Sequence, residues 1–385
     1  VTKSQLNEDK KLGSVGHIHP EMIKEITTVD EETYVYDLTL NPHHNFIANG
    51  LVIHNSGRPK YDDYGEAILI AKSKGKIDEL QERYIEGKAE AIDSKLAVEP
   101  VLRMYVLTIM CEGYNTLNQL IDFFADTFYG HIYGSTDALS RQIRRVTNQL
   151  TDFEFIHPRG KNYEVTQLGE RVSELYIDPL TVHNLIGFLK DAERTECTDF
   201  AYLVAICDTI EMEPLPYVRK SERPEINQKM TLRRDELHHV TLERYDYYRL
   251  QKAFKLALVF EAWINERGED QIYDHFHLTP GGLFSKLSIA DWLFYACSEI
   301  CKLLDLKKVR KNVHRLRLRV KHGVKDALID LVQIKGIGRV RSRKLYKHGI
   351  KTVETLKETD LQRLQRILGP QLGKNIKERV RKLSS

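Results

Sequence analysis

The sequence has few cysteines. Cys111, Cys197, Cys207, Cys297 and Cys301 are all there are in 385 residues, and none forms a C-x-x-C pair. Thiols this scattered exclude a disulfide framework and a cysteine-type zinc site, and they suit a reducing cytoplasm. Cys297 and Cys301, one helical turn apart, read as core positions. No apolar run reaches about 18 residues, so no membrane span is expected. The sequence starts at Val1 with no signal-like segment, and that start suggests a fragment or an unusual start codon. Neither G-x-x-x-x-G-K-[ST] nor a DExH-type box occurs, so a phosphate cradle and its magnesium-holding acid are both missing from the sequence. Net charge is only +3 and says little about partners.

What remains is a globular composition, 42% hydrophobic and 29% charged, in a length that suits roughly two to four domains. The stretch from Tyr34 to Asp62, YVYDLTLNPHHNFIANGLVIHNSGRPKYD, organises the rest. Tyr34–Leu40 and Phe46–Ile53 are rich in β-formers, and Asn41-Pro42 between them is turn chemistry. This predicts a β-hairpin delivering His54-Asn55 to a strand end. There the Asn55 amide can attack its own carbonyl and close a succinimide. His54 can protonate the leaving amine. Ser56 offers a hydroxyl that could first accept an acyl group.

The blocks VYDLTL, HHNFIANG and LVIHNS closely resemble the C-terminal splicing block of inteins. The resemblance implies that Asn55 cyclises, His54 assists, and Ser56 is the first extein residue and acceptor nucleophile. Asp37 and His44 match the block's internal acid and histidine. No room is left upstream for N-terminal splicing blocks. The chain alone is therefore expected not to splice, though it could cleave at Asn55 or splice with a missing partner half.

After the junction, Gly57-Arg58-Pro59 breaks structure and Glu66–Ala71 reads as a short buried strand. Residues 76–95 read as a charged helical connector. Residues 97–178 predict helices over Val101–Cys111, Thr116–Ala125 and Thr136–Leu150, then strands Phe153–Ile156 and Tyr163–Thr166 around a turn from His157 to Asn162. Helix–helix–helix–hairpin is the winged-helix pattern. Its third helix carries Arg141, Arg144 and Arg145 on one face, suited to phosphates; a brace between domains is the equal alternative. Residues 179–322 predict a bundle of roughly five to seven amphipathic helices. In it His238-His239 reads as surface, and Tyr245, Tyr247 and Tyr248 as packing. Trp292, taken alone, reads as core.

Residues 307–347 concentrate lysine and arginine against only Asp326 and Asp330, the footprint of a polyanion partner. Within them Ile334-Lys335-Gly336-Ile337-Gly338-Arg339-Val340-Arg341 is a helix–hairpin–helix pattern. Gly336 and Gly338 allow close backbone approach, and free N–H groups at the helix start bind a phosphate. Arg339, Arg341, Arg343 and Lys344 would add charge. Leu368–Gly373 resembles a second, degenerate hairpin.

Ser-Gly-Arg-Pro followed by Tyr-Asp-Asp-Tyr-Gly-Glu-Ala resembles the end of motif VI in superfamily-two helicases. With GIGRVRSRKLY and the domain order, it resembles the C-terminal part of archaeal DNA helicases of the Hel or Hjm type, related to the Ski and Brr helicases. The resemblance implies ATP-driven 3′–5′ translocation on single-stranded and forked DNA in replication-coupled repair. ATP and Mg2+ would serve the intact helicase, with none bound by this chain alone. It implies that Arg58 is an arginine finger and that Trp292 grips a base. Family members carry an arginine about two turns before that tryptophan; here Phe284 and Ser285 stand there, and Lys286 is the nearest cation. The expected architecture is multidomain and mainly α. It comprises a β-rich intein remnant (1–55), the tail of a RecA-like α/β domain with connector (56–96), a winged helix (97–178), a helical ratchet bundle (179–322) and a helix–hairpin–helix domain (323–385). The expected partners are DNA and the missing N-terminal helicase and intein half. A DNA-binding fragment without motor activity and an autoprocessing protein cleaved after Asn55 are the alternatives.

Overall fold

The computed structural model describes residues 45–48, 51–54, 73–87, 94–133, 136–237 and 247–382. The chain divides into two units, 1–92 and 93–385.

In the first unit, β1 (Asn45–Ala48) pairs antiparallel with β2 (Leu51–His54), in the register Ala48↔Leu51 to Asn45↔His54. The register leaves Asn49-Gly50 between the strands, the dipeptide that best suits a two-residue hairpin turn. This corrects the reading of Phe46–Ile53 as one strand. That apolar run is itself a hairpin, and β2 ends at His54. Helix α1 (Ile77–Tyr84) lies in the expected connector. Asp37, His44, Asn55, Ser56, Arg58 and the Glu66–Ala71 strand lie outside the described residues, as do His238-His239 and Tyr245.

The second unit begins with α2 (Glu99–Cys111), α3 (Leu117–Ala125), α4 (Phe128–Tyr133) and α5 (Thr136–Asp152). Thr116 and Gln119 close a reciprocal capping box at the start of α3. The short α4 was not expected. Strands β3 (Ile156–Arg159) and β4 (Asn162–Val165) follow. Their turn is only Gly160-Lys161, with φ +64° at the glycine, so β3 is displaced from the expected Phe153–Ile156 to take in His157-Pro158-Arg159, and Phe153–Phe155 precede it outside the strand. Helix α6 (Gln167–Leu175) ends at Tyr176.

Seven described helices then form a bundle: α7 (Pro179–Arg194), α8 (Asp199–Cys207), α9 (Arg223–Leu232), α10 (Tyr247–Ile264), α11 (Glu269–Phe276), α12 (Pro280–Leu303) and α13 (Lys307–His322). Phe200–Cys207 of α8 is buried all round, as its uniform hydrophobicity requires. Cys207, Cys297 and Cys301 are core residues, and burial pushes the Cys301 thiol up to about 12. Tyr248 packs on the core, whereas Tyr247 is exposed.

One hydrophobic core runs from Leu102 to Val320 without a break at residue 178. A buried ion pair crosses that position. Arg103 on α2 donates from Nε and Nη2 to both carboxylate oxygens of Asp178, at 2.7 and 2.9 Å, and Asp178 caps α7. A second, separate core lies in α14 (Ile329–Val332), α15 (Arg339–Lys347), α16 (Val353–Glu358), α17 (Leu361–Leu368) and α18 (Pro370–Lys382). Among the described residues no helix is long and apolar enough to cross a membrane.

Candidate nucleic-acid interface

The hairpin between α14 and α15 is held by two buried anchors, Ile334 and Ile337, and the Ile337 N–H donates to Ile334 O at 2.9 Å. Gly336 between them has φ +100°, a conformation that favours glycine. A side chain there would also strike the Arg379 guanidinium, which closes on Lys335 O. Helix α15 therefore starts at Gly338 with the amides of its first turn free of intrahelical partners. Beside that start stand exposed Lys335 and Arg341, exposed Lys344 and Lys347 follow in the last turn of the same helix, and Val340 is 65% exposed. Arg341 also folds back to donate to Gly336 O at 2.6 Å, bracing the turn.

The other two arginines of α15 face the opposite way. Arg339 lies over the Trp263 ring, 4.3 Å from its centroid, and donates to Arg267 O at 2.6 Å. Burial lowers its pKa from the ordinary guanidinium value. Arg343 donates to Glu266 Oε1 at 2.7 Å. Trp263 is buried, and its indole N–H donates to Val320 O at 2.8 Å. Gly323, the left-handed cap of α13, lies so close to the Trp263 ring that a Cβ would sit 2.5 Å from it. Arg339 and Arg343 thus fasten the hairpin to the bundle.

The basic helix α13 is also largely committed internally. The backbone N–H groups of Lys308 and Val309 donate to the Glu193 carboxylate, which caps the helix from α7 at 3.1 and 2.8 Å. Arg315 pairs with Asp199 and Asp326. Arg317 grips Asp291 through two bonds of 2.8 and 3.1 Å. Arg319 is buried and pairs with Asp199. Lys308, Arg310 and Lys311 remain exposed, without an ion pair among the described residues.

A second aromatic surface lies where α6 meets α12. The Trp292 indole N–H donates to Leu175 O at 3.0 Å, and the ring is half-buried against the core. One turn on, the Tyr295 hydroxyl accepts from Arg171 Nη2 at 3.1 Å; Arg171 also binds Glu299 at 2.7 Å. The Arg317 guanidinium stands 5.0 Å from the Tyr295 ring centroid. Arg141, Arg144 and Arg145 share an exposed face of α5, as their spacing predicts, and Arg145 is paired with Glu99.

Three family models match. Archaeal helicase, domain 4, covers residues 200–323; the intein splicing domain covers 9–55; the SAM-like helix-hairpin-helix tandem covers 328–382. The ATP-dependent DNA helicase Hel308 of Pyrococcus horikoshii is 34% identical over 330 residues, 85% of this chain and 45% of that protein. Hel308 of Methanocaldococcus jannaschii is 32% identical over 406 aligned residues, 94% of this chain and 32% of that protein. Hel308 of Thermococcus kodakarensis is 34% identical over 78% of this chain and 27% of that protein. The chain belongs with the C-terminal part of the Hel308-like archaeal superfamily-two helicases. An intein splicing segment precedes that part. The chain spans less than half the length of the curated relatives it matches. The Methanocaldococcus alignment covers more of the chain than residues 56–385 contain, so it extends into the intein segment.

Within the Hel308-like part, the structure redistributes the residues singled out from sequence. Lys286 is corrected: it is 8% exposed and its Nζ donates to Met212 O at 2.7 Å. Burial lowers its pKa, and it falls on the inward face of α12 with Leu283, Leu287 and Ala290. Arg339 and Arg343 are corrected likewise, from outward cations to inward clamps. Gly336, Gly338, Arg341 and Lys344 stay together at the hairpin. Trp292 is half-buried, neither a core residue nor a free ring. Sequence reasoning missed Tyr176, Tyr295 and Arg171. The stripe Phe284, Ser288, Asp291, Tyr295 at helical spacing could have revealed the exposed face of α12.

Proposed function

We propose that this chain is the DNA-gripping C-terminal portion of an ATP-dependent helicase that moves 3′–5′ on single-stranded and forked DNA in replication-coupled repair. The observation that carries the reading is the hairpin at Gly336. It presents a helix start with Lys335 and Arg341 beside it and Lys344 and Lys347 further along the exposed side of the same helix, a geometry suited to a phosphate backbone and indifferent to sequence. Residues 97–178 are read as a winged helix offering Arg141 and Arg144, and residues 179–322 as a ratchet bundle bearing Trp292. ATP and Mg2+ chemistry belongs to the upstream half. This chain would contribute Arg58, whose guanidinium suits charge developing on a transferred phosphoryl group. Among the described residues no group of His, Cys, Asp or Glu side chains could hold a metal ion, and no step of hydrolysis is assigned to this chain.

Fluorescence anisotropy of labelled fork, single-strand and duplex oligonucleotides across a salt series tests the reading. Binding should weaken steeply with salt. Absence of binding at low salt would sink it. DNA-stimulated ATPase should appear only when the upstream half is supplied, and hydrolysis by the purified chain alone would contradict that division of labour.

The hairpin that ends at His54, together with the intein match over residues 9–55, favours a second activity: cleavage after Asn55. Mass spectrometry of the purified chain, alone or mixed with its upstream half, should show a break after Asn55 that Asn55→Ala abolishes. A chain that stays whole under both conditions rules this out.

A further inference from the structure

Tyr176 ends helix α6 with φ +55° and is 69% exposed. The left-handed region at a helix end is where glycine or asparagine is favoured, and a bulky aromatic there is strained. The strain brings no packing in return, because the ring points to solvent. Its position explains what it could do. The carbonyl immediately before it, Leu175 O, is the acceptor that holds the Trp292 indole. Four residues earlier on the same helix, Arg171 holds the Tyr295 hydroxyl. Helix α6 thus fixes the polar edges of two rings on α12, and an exposed third ring follows in sequence immediately after the carbonyl that holds Trp292. Lys321 is exposed and comes within 3.8 Å of Asp291, the residue before Trp292 on α12.

We infer that Tyr176 is a stacking residue for an unpaired base of single-stranded DNA, completing with Trp292 a shelf at the seam of α6 and α12. Exposed aromatic faces with an adjacent cation recognise single strands without sequence preference, because every base has a π-face and every linkage a charge. A duplex, whose bases are already stacked, offers nothing to the ring. The inference rests on the proposed DNA-binding function and adds a site to it.

The test uses the whole chain with Tyr176→Asn and Tyr176→Phe, an oligothymidylate of about 20 nucleotides and a duplex of the same length. Asparagine tolerates the left-handed conformation, so Tyr176→Asn should keep or raise Tm while removing the ring. It should weaken oligothymidylate binding roughly tenfold, the effect of losing one stacked base. Duplex affinity and the salt slope should not change, and Tyr176→Phe should bind as the parent does. Equal loss for single strand and duplex would indicate a merely structural role and overturn the inference. So would a Tyr176→Asn chain that binds oligothymidylate as tightly as the parent, with the proposed function left standing. A parent chain that binds neither DNA would remove both.

Discussion

Helix α13 and the hairpin with α15 carry similar charge: neither contains an acidic residue, and lysine and arginine dominate both. They use it in opposite ways. On α13 the arginines of the second half are drawn to Asp199, Asp291 and Asp326, which lie on α8, on α12 and just beyond α13. On the hairpin, Lys335, Arg341, Lys344 and Lys347 are left facing solvent, and only Arg339 and Arg343 turn inward. A basic stretch is therefore not one object. Its worth as a nucleic-acid surface depends on how many charges the fold has already neutralised, and here the stretch divides into a structural part and a free part.

The comparison breaks most visibly at Arg319. Its guanidinium is buried, pairs with Asp199 and donates to Val324 O at 3.3 Å. Arg319→Ala would leave Asp199 with Arg315 alone and a hole under the end of α13. The expected loss is about 3 kcal/mol in chemical denaturation, typical of breaking a buried pair. DNA affinity of the folded fraction and its salt slope should stay as they were. If α13 were the main DNA surface, the slope would fall instead.

Gly336→Ala comes next. The substitution forces φ +100° on a residue with a Cβ and pushes it into Arg379. About 2 kcal/mol of stability should be lost, the scale of such backbone strain. Unlike Arg319→Ala, this change should also weaken DNA binding, because the proposed phosphate contact is made by the backbone of the hairpin turn itself. Denaturation and binding measured on one preparation separate the two cases.

Replacing Lys335, Lys344 and Lys347 together by alanine should do the reverse of Arg319→Ala. These side chains are exposed, so stability should move by less than about 0.5 kcal/mol. Affinity should drop roughly tenfold at moderate salt for all DNA sequences alike, and the salt slope should shrink by about one for each phosphate no longer neutralised. An unchanged slope would mean that the hairpin is not where the backbone sits.

How much of this was legible depended on distance along the chain. The hairpin could be read because its pieces are neighbours: Ile334, Gly336, Ile337 and Gly338 specify the turn locally. The inward turn of Arg339 and Arg343 could also have been read. They lie on the half-buried side of α15 with buried Ser342 and Leu345, a helical stripe whose period is visible in the sequence. Asn49-Gly50 was a local signal too, and it was overridden by the continuous apolar run on either side. The neutralisation of α13 could not be read, because Asp199 lies more than a hundred residues away and only packing brings it near. Lys286 was legible as inward, because Leu283 and Leu287 share its helical stripe. Tyr176 left no signal, since what sets it apart is a left-handed backbone conformation and a hydrogen bond that α12 makes to the carbonyl of its neighbour Leu175.

The smallest effect concerns the end of α13, where the structural and free halves of the basic stretch meet. His322 is half-buried beside Gly323, and burial, with Lys321 next to it, lowers its pKa below the ordinary value of 6.5. The unfolded chain therefore binds this proton more readily than the folded one. Stability attributable to the neutral ring is present above 6.5 and is lost as pH falls through the unfolded value toward the lowered folded one. Between pH 7.5 and pH 5.5 the parent should lose Tm through this group, and His322→Asn should lose roughly 1–2 °C less. The groups that face the ring are Lys321, which opposes protonation, and Asp291, which favours it. If Asp291 rather than burial governed the site, the sign would reverse and the parent would hold its Tm better than His322→Asn in acid. That outcome would also mean that Asp291 is not fully claimed by Arg317, and that the end of α13 has charge to spare for DNA after all.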